Sequence, residues 1–196
     1  MIDILVNKNN PLLKTYKPSD LVITDNNSFN YHNYVDPLHK PSVREEVYFA
    51  FKELQKNALK DNYLLIIDSG FRSYDYQQEI WDFNVREKGL EHAKKYVAIP
   101  GESEHQTGLA IDIGAYINKE YHTYIDENDD EYKWLIDNSY KYGFILRYPN
   151  GKEEETGINF EPWHFRYVGY YLANELYEKN MILEEYHSKK KVLKLN

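Results

Sequence analysis

The sequence contains no cysteine, and that absence removes several kinds of chemistry at once. Without thiols the chain can form no disulfide and can support no thiolate catalysis. A zinc-type metal site must therefore be built from histidine, aspartate or glutamate side chains. Seven histidines and 32 acidic residues are available for that purpose.

Long apolar runs are missing as well. The first residues, MIDILVNKNNPLL, do not form a signal peptide, because Asp3 interrupts their apolar run and Asn7 and Lys8 end it. No later stretch is apolar over the roughly 18 residues that a membrane span requires. We therefore expect the chain as given to be cytoplasmic, or to be exported if a leader has been removed from it.

The sequence has fewer basic than acidic residues. The chain has 24 lysines and arginines against 32 acidic residues, a net charge of −8. Nucleic-acid binding requires a basic surface, and anionic membranes also attract basic segments, so neither partner is expected. The one basic run, Lys189 to Lys191, is predicted to lie in a solvated tail. The length of 196 residues and an ordinary composition predict one globular domain, 1–196.

The order of predicted elements favours an α+β fold, in which helices flank a mostly antiparallel sheet. Residues 1–40 are rich in Asn, Pro and Asp and are predicted to be an irregular segment packed on the rest. The pattern lacks regular alternation of strand and helix, and it has no glycine-rich phosphate loop. The predicted strands are Tyr63–Ile67, Leu109–Ile113, Phe144–Tyr148 and His164–Val168.

Four helices are predicted from apolar spacing and end signals. The first begins at Ser42, because Ser42 and Glu45 fit a capping box after Pro41. The other three are Ser73–Lys88 ended by Gly89, Glu131–Tyr142 ended by Gly143, and a last helix from about Tyr170.

The stretch SEHQTGLAIDIG places Asp112 between two isoleucines of a predicted strand. Because strand side chains alternate, Leu109, Ile111 and Ile113 share a core face, and Asp112 lies on the opposite face with small neighbours. A buried carboxylate costs several kcal/mol unless it is paired or binds a metal. Taken alone, the stretch also fits an ordinary half-solvated strand.

His105 and His164 differ from the other histidines because each shares a short motif with a candidate acidic partner. His105 lies seven residues before Asp112, and Glu161 lies three residues before His164. Strict alternation would put the members of each pair on opposite faces, so a turn must intervene in both places. The residues that allow such turns are Gly108 and Pro162.

If these side chains converge, they form a site for hydrolytic chemistry. His105, Asp112 and His164 are three ligands of the kind that catalytic zinc takes, with a fourth position left open. Glu161 is then a spare carboxylate that can take a proton from an activated water and pass it to a leaving amine. Such a site hydrolyses an amide bond.

Three further residues are candidates for substrate chemistry. Arg72, in SGFRS at a strand-to-helix turn, could stabilise the oxyanion of a tetrahedral intermediate. Ser103 and Gln77 could position a substrate by hydrogen bonds. Taken singly, each has an ordinary alternative: a surface arginine, a turn serine and a helix-surface glutamine.

Taken together, the motifs SGFRSYDYQ, PGESEHQTGLAIDIG and EPWHFRYVG resemble those of the zinc D-alanyl-D-alanine peptidases of the VanY, VanX and VanXY types, with related L,D-carboxypeptidases. The opening LVNKNNPLLKTYKPSDLV resembles the start of that family's catalytic domain. GFILRYP followed by TGINFEPWHFRYVG is especially similar to the VanXY type. The resemblance runs from about residue 5 to 169.

The resemblance implies a fold shared with the signalling domain of hedgehog proteins. It implies Zn²⁺ as the cofactor, Glu161 as general base and acid, and Arg72 as the transition-state stabiliser. Ser103 and Gln77 match positions tied to substrate binding. The implied zinc ligands are His105, Asp112 and His164.

The implied substrate is a peptidoglycan stem peptide ending in D-Ala-D-Ala, or the free dipeptide. Two alternatives stay open: an L,D-carboxypeptidase acting on tetrapeptides, and a non-catalytic zinc-stabilised binding module. The biological setting also stays open between glycopeptide resistance, wall metabolism and phage lysis. The sequence gives no oligomeric state.

Overall fold

The computed structural model describes residues 1–24, 40–118 and 120–193. Part of the predicted irregular segment, residues 25–39 with two of the seven histidines, lies outside the described residues. Within the described ranges, no helix combines the length and the apolar character needed to cross a membrane.

The described chain is a mixture of helices and short strands, as predicted. The strands are β1 Leu21–Ile23, β2 Ser42–Arg44, β3 Leu64–Ser69, β4 Ala110–Ile117, β5 Glu120–His122, β6 Phe144–Leu146 and β7 His164–Tyr167. The α-helices are α1 Glu45–Lys60, α2 Tyr74–Lys88, α3 Leu90–Tyr96, α4 Asp130–Asn138, α5 Glu153–Thr156, α6 Tyr170–Glu178 and α7 Leu183–Leu193. Two 3₁₀ turns, Glu104–Thr107 and Ser139–Tyr142, complete the set.

The main sheet has the order β3-β4-β7-β6, and β5 pairs with β4. Every pairing in it is antiparallel, which confirms the predicted sheet type. β4 is the central strand, because it pairs with β3 on one side and with β5 and β7 on the other. A separate two-stranded sheet joins β1 to β2.

One face of β4 packs into the hydrophobic core. Leu109, Ile111 and Ile113 are fully buried in the core cluster together with residues of α1 such as Val47 and Leu54. This confirms the predicted core face of the strand. The opposite face carries Asp112, which is also buried but belongs to a polar cluster.

The predicted start of the first helix is wrong. Ser42 lies in β2 opposite Ile23 of β1, and α1 begins three residues later at Glu45. Arg44 is the N-cap residue, with an extended backbone and no side-chain capping bond. Pairing with a strand that is distant in sequence has overridden the local capping signal.

The other helix predictions hold, with additions. The hydroxyl of Ser73 accepts a bond from the N–H of Tyr76, and Gly89 ends α2 with a positive φ. The third predicted helix divides into α4 and the second 3₁₀ turn, and the last divides into α6 and α7. Helix α3 was not predicted. The basic run is part of α7 and not a tail, and Lys190 pairs with Asp3 at 2.9 Å.

The first residues of the chain contact several other elements. Leu12 donates its N–H to the carbonyl of Gly101, and the side chain of Asn7 donates to Glu184 of α7. These bonds hold the first residues against the rest of the described chain, and the packing of the whole segment 1–40 stays a prediction. The domain limits 1–196 stay a prediction.

We expect Phe51→Ala to lower the free energy of unfolding by about 3–5 kcal/mol, because it empties a large buried volume. Phe51 is 2% exposed and packs edge-on against Phe144 of β6. Phe49→Ala, in the same helix at a 60% exposed position, is the matched control. Urea denaturation should show a change of no more than about 0.5 kcal/mol for the control. Equal losses in both variants would contradict the assigned core face of α1.

Candidate active site

Two polar side chains face each other across the centre of the sheet. The register of β4 and β7 places Asp112 directly opposite His164. Residues opposite each other in an antiparallel pair project from the same face of the sheet. Asp112 is 2% and His164 is 4% exposed, so both side chains are withdrawn from solvent.

The turns that the sequence required are present. His105 lies on the first 3₁₀ turn, which ends at Gly108 with a left-handed backbone (φ 67°) before β4 begins. Glu161 precedes the turn at Pro162, and the N–H of His164 closes that turn on the carbonyl of Glu161. Each turn brings its pair of side chains to one side of the sheet.

His105, Asp112 and His164 form a compact buried group. One ligand atom from each lies within 4.8 Å of the other two. Asp112 Oδ1 is 3.3 Å from His105 Nε2 and 3.2 Å from His164 Nδ1. Two ligands of one tetrahedral zinc, each about 2.0–2.1 Å from it, lie about 3.3 Å apart. Asp112 Oδ1 is buried without a hydrogen-bond partner, so these residues fit a zinc ion.

His105 is held in the state that a metal ligand needs. Its Nδ1 is 2.6 Å from the carbonyl oxygen of Gly70, which can only accept, so Nδ1 carries the proton and donates. The lone pair of Nε2 then points into the group. Burial, with the nearby charge of Arg72, lowers the pKa of His105 to about 4, so the imidazole is neutral at pH 7.

Asp112 is held as an anion. Burial by itself would raise the pKa of this carboxyl, but His105, Arg72 and His164 outweigh it and hold the pKa well below its usual range. The closest of these contacts is a bond of 2.5 Å from Arg72 Nη2 to Asp112 Oδ2. The cluster therefore presents one negative charge and two imidazoles around a shared centre.

Arg72 lies at the edge of this group. Its Nη2 is 2.9 Å from His105 Nε2, in addition to the bond with Asp112. Its Nε donates to Ser69 Oγ at 3.1 Å. An irregularity in β3 between Ile67 and Ser69 brings Ser69 opposite Asp112, and bulges of this kind often redirect side chains near active sites. Arg72 is therefore not an isolated surface arginine.

Gln77 and Ser103 also border the site. Gln77 is buried, accepts a bond from Arg72 Nη1 at 3.4 Å and donates to the carbonyl of Ala98. Its contacts are those of a residue that holds Arg72 in place, and it is not on the helix surface. Ser103 is buried at the start of the 3₁₀ turn, and its side chain makes no capping bond.

Glu161 stands beside the ligand group without belonging to it. Its Oε2 is 3.4 Å from His164 Nδ1, and the residue is 8% exposed. Burial, together with the neighbouring negative charge of Asp112, raises the pKa of Glu161 to about 7. A carboxyl with a pKa near neutrality can both accept and return a proton at physiological pH.

These groups lie along a cavity of about 470 Å³. That volume is within the range typical of small-ligand sites. The sequence-based reasoning missed the aromatic residues of its wall, although Tyr148 and Trp163 lie inside the motifs that carried the resemblance. The predicted residues at the cavity are Arg72, Gln77, Ser103, His105, Asp112, Glu161 and His164, and the added aromatic residues include Tyr124, Tyr148 and Trp163.

Comparison with known proteins gives a consistent result. A family model described as VanY, D-alanyl-D-alanine carboxypeptidase, matches residues 40–170. The chain is 37% identical over 186 residues to VanXYC of Enterococcus gallinarum, a bifunctional D-Ala-D-Ala dipeptidase and D-Ala-D-Ala carboxypeptidase. That match covers 93% of this chain and 92% of VanXYC.

Solved structures share the fold. The LdcB LD-carboxypeptidase, whose structure is described as revealing the basis of peptidoglycan recognition, superposes with a TM-score of 0.82 at 44% identity. That match covers 94% of this chain and 85% of LdcB. A mutant of the D,D-pentapeptidase VanY from the VanB-type resistance cassette, in complex with Zn(II), gives a TM-score of 0.75 at 36% identity. It covers 94% of this chain and 98% of that one.

We expect His105→Ala to lose stoichiometric zinc, because it removes one of three ligands from the buried group. The measurement is metal content after dialysis, together with the rise in melting temperature that added zinc produces in the wild type. His122→Ala, an exposed histidine of β5, is the control and should keep both the zinc and the rise. Full zinc occupancy in His105→Ala would contradict the ligand assignment.

Proposed function

Because the chain belongs to the VanY family of D-alanyl-D-alanine carboxypeptidases, we propose that it is a zinc-dependent hydrolase of the D-alanyl-D-alanine terminus of peptidoglycan stem peptides or their precursors. The observation that carries the proposal is the buried group of His105, Asp112 and His164, with Glu161 beside it on a cavity of about 470 Å³. A chain of this family can also cleave the free dipeptide, as the name of VanXYC states for that protein.

The zinc ion would be held by His105 Nε2, Asp112 Oδ1 and His164 Nδ1, the three atoms that face one another in the group. When bound, zinc supplies Lewis-acid polarisation of a carbonyl and activation of water. Asp112 contributes the negative charge that balances part of the charge of the cation. The two imidazoles complete a set of three protein ligands, which is typical of catalytic zinc.

Glu161 is the general base and then the general acid. Its carboxylate takes a proton from the attacking water and returns it to the nitrogen of the departing D-alanine, so that an amine leaves instead of an amide anion. The raised pKa of Glu161 suits both steps. A non-catalytic binding module has no need for a buried carboxylate in this position.

Arg72 stabilises the oxygen of the scissile carbonyl as negative charge develops on it. Its Nη2 now contacts both Asp112 Oδ2 and His105 Nε2. Because a nitrogen lone pair serves one partner at a time, His105 Nε2 cannot accept from Arg72 while it binds a metal. The N–H of Arg72 that now points at His105 then becomes available to the substrate. Gln77 and Ser69 continue to hold the guanidinium.

Ser103 contributes to substrate positioning. Its side chain lines the cavity without a capping role, so its hydroxyl is free to bond a peptide group of the substrate. Apolar and aromatic wall residues, among them Tyr124 and Trp163, are suited to the small methyl side chains of alanine. Their rings lie 4.9 Å apart in a tilted pair.

An L,D-carboxypeptidase acting on tetrapeptides is the second candidate. One observation favours it: the chain shares 44% identity with the LdcB LD-carboxypeptidase structure, against 37% with VanXYC. The proposed zinc ligands, base and arginine would serve either reaction, because both break a peptide bond that ends in D-alanine. The two candidates differ only in the residue on the acyl side of that bond.

We expect Glu161→Ala to retain zinc and to lose hydrolysis by roughly 100- to 10,000-fold, because it removes proton transfer and leaves the ligands intact. The measurements are zinc content and kcat for D-alanine release. Glu154→Ala, at an exposed position of α5, is the matched control and should keep wild-type kcat. Undiminished hydrolysis in Glu161→Ala would rule out the proposed mechanism.

Substrate class is decided by D-alanine release from three peptides, each with and without a chelator. The peptides are free D-Ala-D-Ala, a pentapeptide ending in D-Ala-D-Ala, and a tetrapeptide ending in a single D-Ala. We expect chelator-sensitive release from the pentapeptide, because the family acts on that terminus. Release from the tetrapeptide alone would replace the proposal with an L,D-carboxypeptidase. No release from any of the three peptides by the zinc-loaded protein would favour a non-catalytic binding module.

A further inference from the structure

Glu104, the residue before His105, is a fully buried carboxylate that the proposed reaction does not use. Its Oε1 accepts two hydrogen bonds of 2.8 Å, one from Arg147 Nε and one from Arg166 Nη1. Its Oε2 has no hydrogen-bond partner although it is buried. One oxygen of this carboxylate therefore accepts two hydrogen bonds, and the other oxygen accepts none.

The unpaired oxygen of Glu104 faces an unpaired nitrogen of His164. His164 Nε2 lies 4.0 Å from Glu104 Oε2, and it too is buried without a hydrogen-bond partner. A distance of 4.0 Å is too long for a hydrogen bond, which needs roughly 2.7–3.2 Å. Buried polar atoms are rarely left unpaired, so two of complementary kind at this separation call for an explanation.

The tautomer that His164 adopts when it binds a metal supplies that explanation. Its Nδ1 faces Asp112 Oδ1 in the ligand group, so a metal there takes the lone pair of Nδ1. A neutral imidazole has one N–H, which must then be on Nε2 and point at Glu104. In His105 the roles of the two nitrogens are exchanged. Its Nδ1–H donates to the carbonyl of Gly70, and its Nε2 faces the ligand group.

We propose that Glu104 is a positioning residue that accepts the Nε2–H of His164 and thereby fixes the tautomer and ring orientation of this metal ligand. Outer-shell carboxylates of this kind commonly orient metal-binding histidines. The assignment rests on the proposed zinc site, and it requires the two side chains to approach each other from their present separation of 4.0 Å. Glu104 is then a link between the turn that carries His105 and the strand that carries His164.

The surrounding charges keep Glu104 in the state this role needs. Arg147 and Arg166 are almost completely buried, and they bond the Oε1 atom on the side away from His164. Arg147 also bonds Glu184 of α7 at 2.6 Å and 2.9 Å. The charges of two guanidinium groups therefore balance those of two carboxylates. Glu184 is a second glutamate of the same cluster, and it contacts none of the proposed metal ligands.

The test compares Glu104→Gln with Glu184→Gln in the full chain. Both changes remove one charge from the same cluster. In Glu104→Gln the amide oxygen must stay with the two arginines, so the amide NH₂ faces the Nε2–H of His164, donor against donor. Glu184→Gln disturbs Arg147 and leaves the contact between Glu104 and His164 in place.

We expect Glu104→Gln to bind zinc roughly 10- to 100-fold more weakly, measured by competition with a chelator, and Glu184→Gln to keep wild-type affinity. The second readout is the exchangeable imidazole N–H signals of the cobalt(II)-substituted protein by NMR. The signal of His164 should move or exchange faster with solvent in Glu104→Gln, and it should be unchanged in Glu184→Gln.

Equal loss of affinity in both variants, or an unchanged His164 signal in Glu104→Gln, would overturn the assignment and leave Glu104 as a counter-ion for two arginines. If Glu104→Gln does not fold, the wild type alone decides. A slowly exchanging His164 N–H supports the proposal, and rapid exchange of that proton overturns it. Lack of zinc binding by the wild type would overturn the zinc site itself, whereas a zinc-loaded, active wild type isolates the failure to Glu104.

Discussion

The charge of Asp112, on the central strand of the sheet, is the constraint on which the site depends. A carboxylate with 2% exposure on the reverse of a core strand is costly unless cations or donors surround it. The structure supplies Arg72 from the loop after β3, His105 from a 3₁₀ turn and His164 from the opposite position on β7. Each has been brought from a different part of the chain to the one place where the sheet buries an acid. A zinc ion held in this group would satisfy the oxygen of Asp112 that has no hydrogen-bond partner.

A second buried charge cluster lies directly behind the first. Glu104, Arg147, Arg166 and Glu184 join the 3₁₀ turn, the segment after β6, β7 and helix α7. Buried ion networks of this kind contribute little net stability compared with apolar packing, but breaking one partner is costly. Their value here is geometric, because Glu104 is next to His105 in sequence and Arg166 is two residues from His164. The network therefore fixes the two elements that carry the histidines relative to each other.

The candidate metal group and the outer wall of the cavity come from different regions of the fold. The group of His105, Asp112 and His164, together with Glu161, is buried on the sheet and its adjoining turns, and Arg72 lies beside it on the loop after β3. The outer wall of the cavity includes exposed aromatic residues such as Tyr124 and Phe83. Solved structures described as an LD-carboxypeptidase and as a D,D-pentapeptidase share this fold.

The sequence by itself indicated the candidate site residues, and it determined the α+β class, the core face of β4 and the need for turns at Gly108 and Pro162. These follow from local properties: alternation along a strand, glycine at a left-handed position, and motifs whose residues are close in the chain. Only the tertiary structure decided where the chain departs from local rules. Ser42 became a strand residue because β1 pairs with it, and Gln77 became a buried support for Arg72 because α2 packs beside the loop after β3. Convergence of His105 with His164 depends on antiparallel pairing across more than 50 intervening residues. Local periodicity carries no information about such a register, because a strand pattern fixes which face a side chain occupies but not which residue lies opposite.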